Sequence, residues 1–134
     1  MKPTELRIGN LIYHPEFCEV MKVTSIQDDL INFAIKIYDV EPIKLSEEWM
    51  VKFGFMQNKN SGFQSDFYSL KNSYFLIGYH KSLSEDCFAY ETYDYRNYDG
   101  ERLWIDSVHQ LQNLYYALNQ KELLLNEFEK LKER

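Results

Sequence analysis

The stretch 107–118, S-V-H-Q-L-Q-N-L-Y-Y-A-L, constrains the fold more than any other segment, because it has the longest helical periodicity in the chain. Its main apolar residues recur at intervals of three and four, which places them on one side of a helix: Val108, Leu111, Tyr115 and Leu118. Ser107 and Gln110 have the spacing of a capping box, in which each side chain accepts a hydrogen bond from the other residue's backbone amide. The sequence therefore predicts a helix over 107–118 with a defined start and one buried face.

A second stripe of the same helix is polar. Its members share the spacing i, i+3, i+4 and i+7: His109, Gln112, Asn113 and Tyr116. One interpretation is a recognition face for a partner or ligand, since these groups donate and accept hydrogen bonds. The other is that they bond to neighbouring strand ends or meet water, and the general pairing of buried polar groups favours it.

Three sequence blocks carry a family resemblance. They are V-H-Q-L-Q-N-L-Y-Y-A-L with K-E-L at 121–123, R-I-G-N-L-I at 7–12, and P-I-K-L-S-E-E-W-M-V-K-F-G-F at 42–55, together about a quarter of the chain. The chain resembles a family of small proteins from Bacteroidetes genomes and their phages or prophages. In that family the helix runs into a Thr-Gly pair, where Asn119 and Gln120 stand here. The resemblance implies no activity, because no chemistry is assigned to the family.

The first 45 residues are rich in strand patterns. Segments near 8–13 and 19–26 are strand candidates, and the clearest pattern alternates apolar and other residues over 31–38: Ile31, Phe33, Ile35 and Ile37. This alternation predicts one strand with Phe33 on its apolar face. Three such strands fit a small antiparallel sheet, either closed into a barrel like a Src-homology-3 domain or left open.

A short helix is predicted over 46–53. Ser46 is a good N-cap residue, and Glu47 and Glu48 suit the positive end of a helix. Gly54 then supplies the helix stop. Trp49 and Phe53 are four residues apart, so they form the face that anchors this helix.

From residue 55 to residue 105 the chain is aromatic and strand-like. Four blocks read as strands, around 63–68, 74–79, 88–93 and 102–105, with polar turns between them. After the 107–118 helix, a second helical pattern covers 121–131. The predicted fold class is α+β: a small N-terminal antiparallel sheet, a helix, an antiparallel meander and C-terminal helices. The 134 residues form a single domain, or two lobes at 1–45 and 46–134.

The residue types that carry catalysis or bind metals are scattered. The three histidines, His14, His80 and His109, are far apart in sequence and give no zinc spacing. The five glycines are too dispersed for a phosphate-binding loop. Cys18 or Cys87 could act as a nucleophile only beside a histidine brought close by the fold, whereas a buried structural cysteine is commoner. We therefore predict no catalytic residue, no cofactor and no metal.

Net charge and hydropathy bear on partners and compartment. Lys and Arg total 15 against 21 Asp and Glu, a net charge of −6, which disfavours nucleic acid and anionic lipid. No apolar run approaches the roughly 20 residues that a membrane-spanning helix needs. No stretch has the order of a signal peptide, so we predict a cytoplasmic protein without a membrane partner.

The most unusual composition lies at 85–101, where six acidic residues accompany four tyrosines: Tyr90, Tyr93, Tyr95 and Tyr98. Tyrosine is typical of protein-binding surfaces, although a strand pair with an acidic solvent face also explains the pattern. We predict a non-catalytic protein-interaction module of a phage-like or mobile element with an unidentified protein partner. The alternative is a nucleic-acid-binding accessory protein that uses aromatic strands, and a small enzyme is the third option.

Overall fold

The computed structural model describes residues 1–58, 66–71, 75–81, 85–91 and 102–125. By its internal contacts the chain divides into two compact units. The first unit comprises Met1–Lys44 and Ser107–Leu123, and the second comprises Leu45–Asp106 and Leu124–Arg134. The predicted α+β class is confirmed, with an N-terminal antiparallel sheet, a helix, a sheet meander and a C-terminal helix.

The strands of the first unit are short and form two separate open sheets. Strands β1 (Leu11–His14) and β2 (Glu19–Lys22) pair antiparallel. Strands β3 (Ile26–Gln27), β4 (Leu30–Ile31) and β5 (Ile35–Lys36) form a three-stranded sheet. The barrel like a Src-homology-3 domain is therefore not formed, because strands of two to four residues separated by tight turns are too short to close one.

The predicted strand over 31–38 is wrong. A turn at 32–34 splits it, with the Ala34 amide donating to the Ile31 carbonyl at 3.3 Å. Asn32 and Phe33 have φ angles of 53° and 68°, which an extended strand does not allow. The apolar alternation arises instead because Ile31 and Ile35 are cross-strand partners. Phe33 consequently lies at the turn and is exposed.

The first unit has an aliphatic core. Its buried residues come from the N-terminal segment, the strands and the loops between them: Leu6, Ile12, Val23, Ile31, Ile37 and Val40. Helix α2 (Val108–Asn119) belongs to the same unit and buries Val108, Leu111 and Tyr115. The apolar face predicted for this stretch is therefore confirmed for these three residues, whereas Leu118 is exposed.

Both ends of α2 are fixed by hydrogen bonds. The capping box is confirmed: the Gln110 amide donates to Ser107 Oγ at 3.4 Å, and the Ser107 amide donates to Gln110 Oε1 at 3.3 Å. Gln120 ends the helix with a left-handed φ of 56°, its amide donating to the Tyr116 carbonyl at 2.8 Å. The predicted helix over 121–131 is wrong for residues 121–125, which are not helical after this stop. Residues 126–131 lie outside the described part of the chain.

The second unit opens with the predicted short helix. Helix α1 (Glu47–Lys52) has Ser46 as its N-cap, whose Oγ accepts from the Trp49 amide at 3.3 Å. Gly54 follows it with a φ of 89°, a conformation that favours glycine. The Trp49 and Phe53 rings are 5.9 Å apart, so the predicted anchoring pair is confirmed as a contact.

A five-stranded antiparallel meander completes the second unit. Its strands are β6 (Met56–Asn58), β7 (Asp66–Ser69), β8 (Leu76–Lys81), β9 (Asp86–Glu91) and β10 (Arg102–Ile105). They lie in sequential order, each pairing with the next. The meander is confirmed, although it begins with β6, a strand that the sequence pattern did not indicate.

The strand register assigns each side chain of this sheet to one of two faces, because residues paired across antiparallel strands share a face. The inner face is buried and mostly aromatic: Tyr68, Ile77, Tyr79, Phe88 and Ile105. The outer face carries the alternate residues: Met56, Asn58, Phe67, Ser69, Leu76, Gly78, His80, Cys87, Ala89 and Trp104.

Candidate functional site

The polar stripe of α2 is occupied by contacts within the first unit, beginning with Gln112. This side chain is buried, its Oε1 accepting from the Leu11 amide at 2.8 Å and its Nε2 donating to the Gly9 carbonyl at 3.2 Å. Both amide ends therefore bind the backbone just before and at the start of β1. Gln112 thus acts as a structural clamp, since its side chain holds the backbone of Gly9 and Leu11 to α2. This agrees with the second interpretation of the stripe.

Asn113 extends the same clamp by one position. Its Oδ1 accepts from Asn10 Nδ2 at 2.8 Å, and its Nδ2 donates to the Glu5 carbonyl at 3.1 Å. Asn10 is itself fully buried, and its Oδ1 accepts from the Arg7 amide at 2.7 Å. The segment 5–11 is thus held to α2 by side-chain hydrogen bonds rather than by a strand ladder.

Tyr116 is the exposed member of the stripe, and it too contacts the N-terminal segment. The Arg7 guanidinium lies over its ring, 4.1 Å from the centroid. Arg7 also forms a two-point ion pair with Glu122, in which Nη1 donates to Oε1 and Nη2 donates to Oε2 at 3.0 Å. The hydrogen bonds between these two groups raise the pKa of Arg7 and lower the pKa of Glu122. The Glu122 carboxylate therefore adds an ion pair to the hydrogen bonds that hold the N-terminal segment.

His109 is the fourth member and is buried near the start of α2. Its Nδ1 lies 3.1 Å from Ser107 Oγ. Burial lowers its pKa, and the carboxylate of Glu5 opposes that shift only in part. The imidazole is consequently neutral at pH 7. Since His109 and Gln112 are buried, Tyr116 is the most exposed of the four side chains in the stripe.

The tyrosine-rich stretch is described only as far as residue 91. Tyr90 lies on β9, half-buried, with its ring stacked on Phe75 at a centroid distance of 5.4 Å. Tyr93, Tyr95 and Tyr98 lie outside the described residues. A binding role for these four tyrosines therefore stays a prediction.

The outer face of the meander exposes large apolar groups that the sequence pattern did not single out. Trp104 is 50% exposed, and Leu76 and Met56 are also exposed on this face. The His80 ring packs edge-on against Trp104 at 5.6 Å. The sequence signal that could have found this face is the period-two alternation within β8 and β10, which places Leu76 and Trp104 on the face opposite to Ile77 and Ile105.

Two buried tyrosines on the inner face donate hydrogen bonds to carboxylates. Tyr68 donates to Glu47 on α1, and Tyr79 donates to Asp86, both at 2.6 Å. Burial is the largest cause that raises the pKa of Tyr68, and the hydrogen bond to Glu47 adds to it. For Tyr79 the hydrogen bond to Asp86 is the largest cause that raises the pKa, and burial adds to it. Both hydroxyls remain protonated at neutral pH, so they act as fixed donors that hold the inner face together.

One cysteine and one histidine are brought close by the fold. His80 and Cys87 are direct cross-strand partners on the outer face, and both cysteines are free thiols. Cys18 lies in the β1–β2 loop, where its Sγ contacts the Pro15 carbonyl at 3.4 Å. Across the described ranges, no group of three or more His, Cys, Asp and Glu side chains is arranged to hold a metal ion.

None of the helices among the described residues is both long enough and apolar enough to span a membrane. Comparison with known proteins gave no match to this chain, whether against protein-family models, curated proteins or solved structures.

Proposed function

We propose that the chain is a cytoplasmic, non-catalytic protein-interaction module of a phage-like or mobile element, and that it binds through the outer face of its meander. The observation that carries this proposal is the half-exposed Trp104 on a face that also exposes Leu76 and Met56. Large apolar groups gathered on one face of a protein are typical of interaction sites, and tryptophan is enriched among residues that dominate binding energy.

The middle of the outer face carries small residues between two aromatic rings. One row across the sheet reads Trp104, Ala89, Gly78 and Phe67, so two large rings flank two small residues. The rings are separated by three strand spacings, roughly 14 Å. Ala89 and Gly78 are themselves buried, so the Trp104 ring supplies the exposed apolar contact area of this row.

Charge favours a protein as the occupant. Residues 45–106 contain ten acidic and six basic residues, so the unit that bears the outer face repels a phosphate backbone. A partner surface with an apolar protrusion and basic surroundings is complementary to it. The alternative function is nucleic-acid binding, which the neighbouring rings of His80 and Trp104 favour because bases stack on exposed aromatic side chains.

The compartment and the origin rest on other evidence. Both cysteines are unpaired, as is usual in reducing compartments. The phage-like origin rests on the sequence resemblance alone and stays a prediction.

The test is affinity capture of the tagged chain from a lysate of its source, with and without nuclease, quantified by mass spectrometry. Trp104→Ala removes the half-exposed ring that the edge strand β10 carries on the outer face. Val51→Ala is the matched control, because Val51 is an exposed apolar residue on α1 in the same unit. Melting curves of both variants verify that the fold is retained.

We expect the native chain and Val51→Ala to retain a specific protein after nuclease treatment, and Trp104→Ala to lose it by roughly tenfold or more. Material that disappears with nuclease, together with binding to single strands that falls steeply with salt, would instead support the nucleic-acid alternative. Equal capture by all three chains would remove the outer face from consideration.

A further inference from the structure

Phe33 combines two features that each cost free energy. Its side chain is 78% exposed, the highest value among the exposed large apolar residues of the described chain. Its backbone has a φ of 68°, in the left-handed region that a bulky L-residue rarely adopts. Neither feature contributes to the core, so folding alone does not account for a phenylalanine at this position.

The turn itself specifies a different residue. Asn32 and Phe33 are the two central residues of the Ile31–Ala34 turn, and both have positive φ, as in the type I′ turns of β-hairpins. Such turns favour Asn followed by Gly, because glycine takes the second position without steric cost. Here the first position has the expected residue, and the second has an aromatic ring where glycine would be more stable.

The surrounding contacts hold the turn in place. Asn32 Oδ1 accepts from the Thr24 amide at 2.7 Å and from Thr24 Oγ1 at 3.0 Å. Its Nδ2 donates to the Lys22 carbonyl at 3.0 Å, and its amide donates to the Ser25 carbonyl at 3.0 Å. The ring of Phe33 is therefore presented from a fixed backbone, which lowers the entropy that a partner must remove on binding.

Phe33 belongs to a group of exposed aromatic residues in the first unit. Tyr38 is 73% exposed and Phe17 is 60% exposed, and these three are the most exposed large apolar side chains of the described residues. All three lie within 17–38, and none is on the outer face of the meander. Of these three aromatic residues only Phe33 has a left-handed φ, and a strained backbone beneath an exposed aromatic side chain points to function rather than to packing.

The negative charge of residues 15–41 indicates which kind of partner would bind there. Residues 15–41 contain six acidic residues, all exposed, against Lys22 and Lys36: Glu16, Glu19, Asp28, Asp29, Asp39 and Glu41. Complementary charge on the partner means basic side chains around the contact. Phosphate groups of nucleic acid and anionic lipid would both be repelled.

We infer that Phe33 is the anchor of a second protein-binding surface, and that it inserts into an apolar pocket rimmed by Lys and Arg on the partner. This surface lies in the first unit and is additional to the outer face of the meander. Since the two surfaces share no residue, failure of one test leaves the result of the other unaffected.

The experiment places the photo-reactive phenylalanine analogue p-benzoylphenylalanine at position 33 of the full chain and irradiates it in cells of the source. The same analogue at position 118 is the matched control, because Leu118 is also an exposed apolar residue of the first unit. Adducts are digested, and the cross-linked peptide of the partner is sequenced by mass spectrometry. The unlabelled native chain and Phe33→Gly serve as competitors in lysate.

We expect an adduct specific to position 33 whose cross-linked peptide belongs to a protein with a basic surface. The native chain should suppress it, and Phe33→Gly should compete roughly tenfold less well or worse. Phe33→Gly should at the same time raise the urea midpoint of unfolding, since it relieves the left-handed strain. This combination separates loss of binding from loss of fold.

Every other pattern overturns the inference. An adduct of twice the 16.2 kDa mass would identify a second copy of the chain as the occupant. A nucleic-acid or lipid adduct would exclude the basic protein partner. Absence of any adduct, adducts equal to those at position 118, or equal competition by Phe33→Gly would show that the ring is not an anchor.

Discussion

The two compact units satisfy their buried polar groups in different ways. In the second unit, five strands of one meander pair in sequence, and aromatic rings such as Tyr68, Tyr79 and Phe88 fill the inner face. In the first unit the strands have two to four residues, and the core is aliphatic. There the amide side chains of Gln112 and Asn113 bind the segment 5–11.

This difference explains why the same helix face was open to two interpretations. In a sheet of long strands the backbone groups hydrogen-bond to one another. Short strands leave backbone amides and carbonyls unpaired, and side chains must supply their hydrogen bonds. Here Gln112 and Asn113 supply these hydrogen bonds. A polar stripe on a helix beside short strands is therefore first a structural feature, and the exposed apolar face of the longer sheet is the better place to look for a partner.

Phe88→Ala should have the largest effect, since it removes a buried ring that contacts both Tyr68 and Tyr79 on the inner face. We expect a loss of about 3–5 kcal/mol in the free energy of unfolding, from lost burial and the cavity left behind. Tryptophan fluorescence during urea unfolding measures it, because Trp49 and Trp104 both lie in the second unit. The control is Leu103→Ala at an exposed position of the same sheet. Equal losses in the two variants would contradict an aromatic core.

Gln112→Ala should have the next largest effect. It leaves the Leu11 amide and the Gly9 carbonyl without their partner, which costs about 1–3 kcal/mol for groups in a partly buried setting. Far-UV circular dichroism follows the loss, because α2 is the longer helix and belongs to the first unit.

Gln57→Ala is the matched control for this clamp. Gln57 is exposed on β6 and donates to Asp66 at 3.3 Å, so its loss should change the unfolding free energy by less than about 0.5 kcal/mol. An unchanged midpoint for Gln112→Ala, with weakened capture of a partner, would restore the recognition interpretation of the stripe.

The features that sequence predicted correctly are those set by local chemistry. Ser107 with Gln110 marks the start of α2, and Ser46 with Gly54 bounds α1, because caps act within a few residues. The meander followed from aromatic blocks separated by polar turns. These elements needed no knowledge of the rest of the fold.

The features that it missed depend on contacts distant in sequence. Over residues 121–125, the part of the predicted second helix that the structure describes, the chain is irregular, and Glu122 pairs with Arg7, 115 residues earlier. The strand predicted through Phe33 is a turn, because Asn32 finds partners at 22–25. Residues of equal hydrophobicity can lie in the core or at a turn, and periodicity alone does not separate the two cases.

The smallest expected effect is a pH dependence that belongs to the first unit. His109 is buried, and its pKa is lowered below the ordinary 6.5, so the folded chain binds its proton less readily than the unfolded chain. Stability is therefore complete above about pH 6.5 and falls as the pH drops through that value toward the folded pKa. One such group gives a slope of at most about 1.4 kcal/mol per pH unit.

Urea unfolding at pH 7.5 and at pH 5.5, followed by circular dichroism, measures this dependence, with His109→Asn as the comparison. The interval avoids Glu122, whose lowered pKa shifts its own loss of stability to below its ordinary value of 4.5. We expect the native chain to lose stability over this interval, by no more than about 1.4 kcal/mol per pH unit, and the variant to lose clearly less, because asparagine does not titrate. Equal losses would assign the pH dependence to a group other than the buried imidazole of His109.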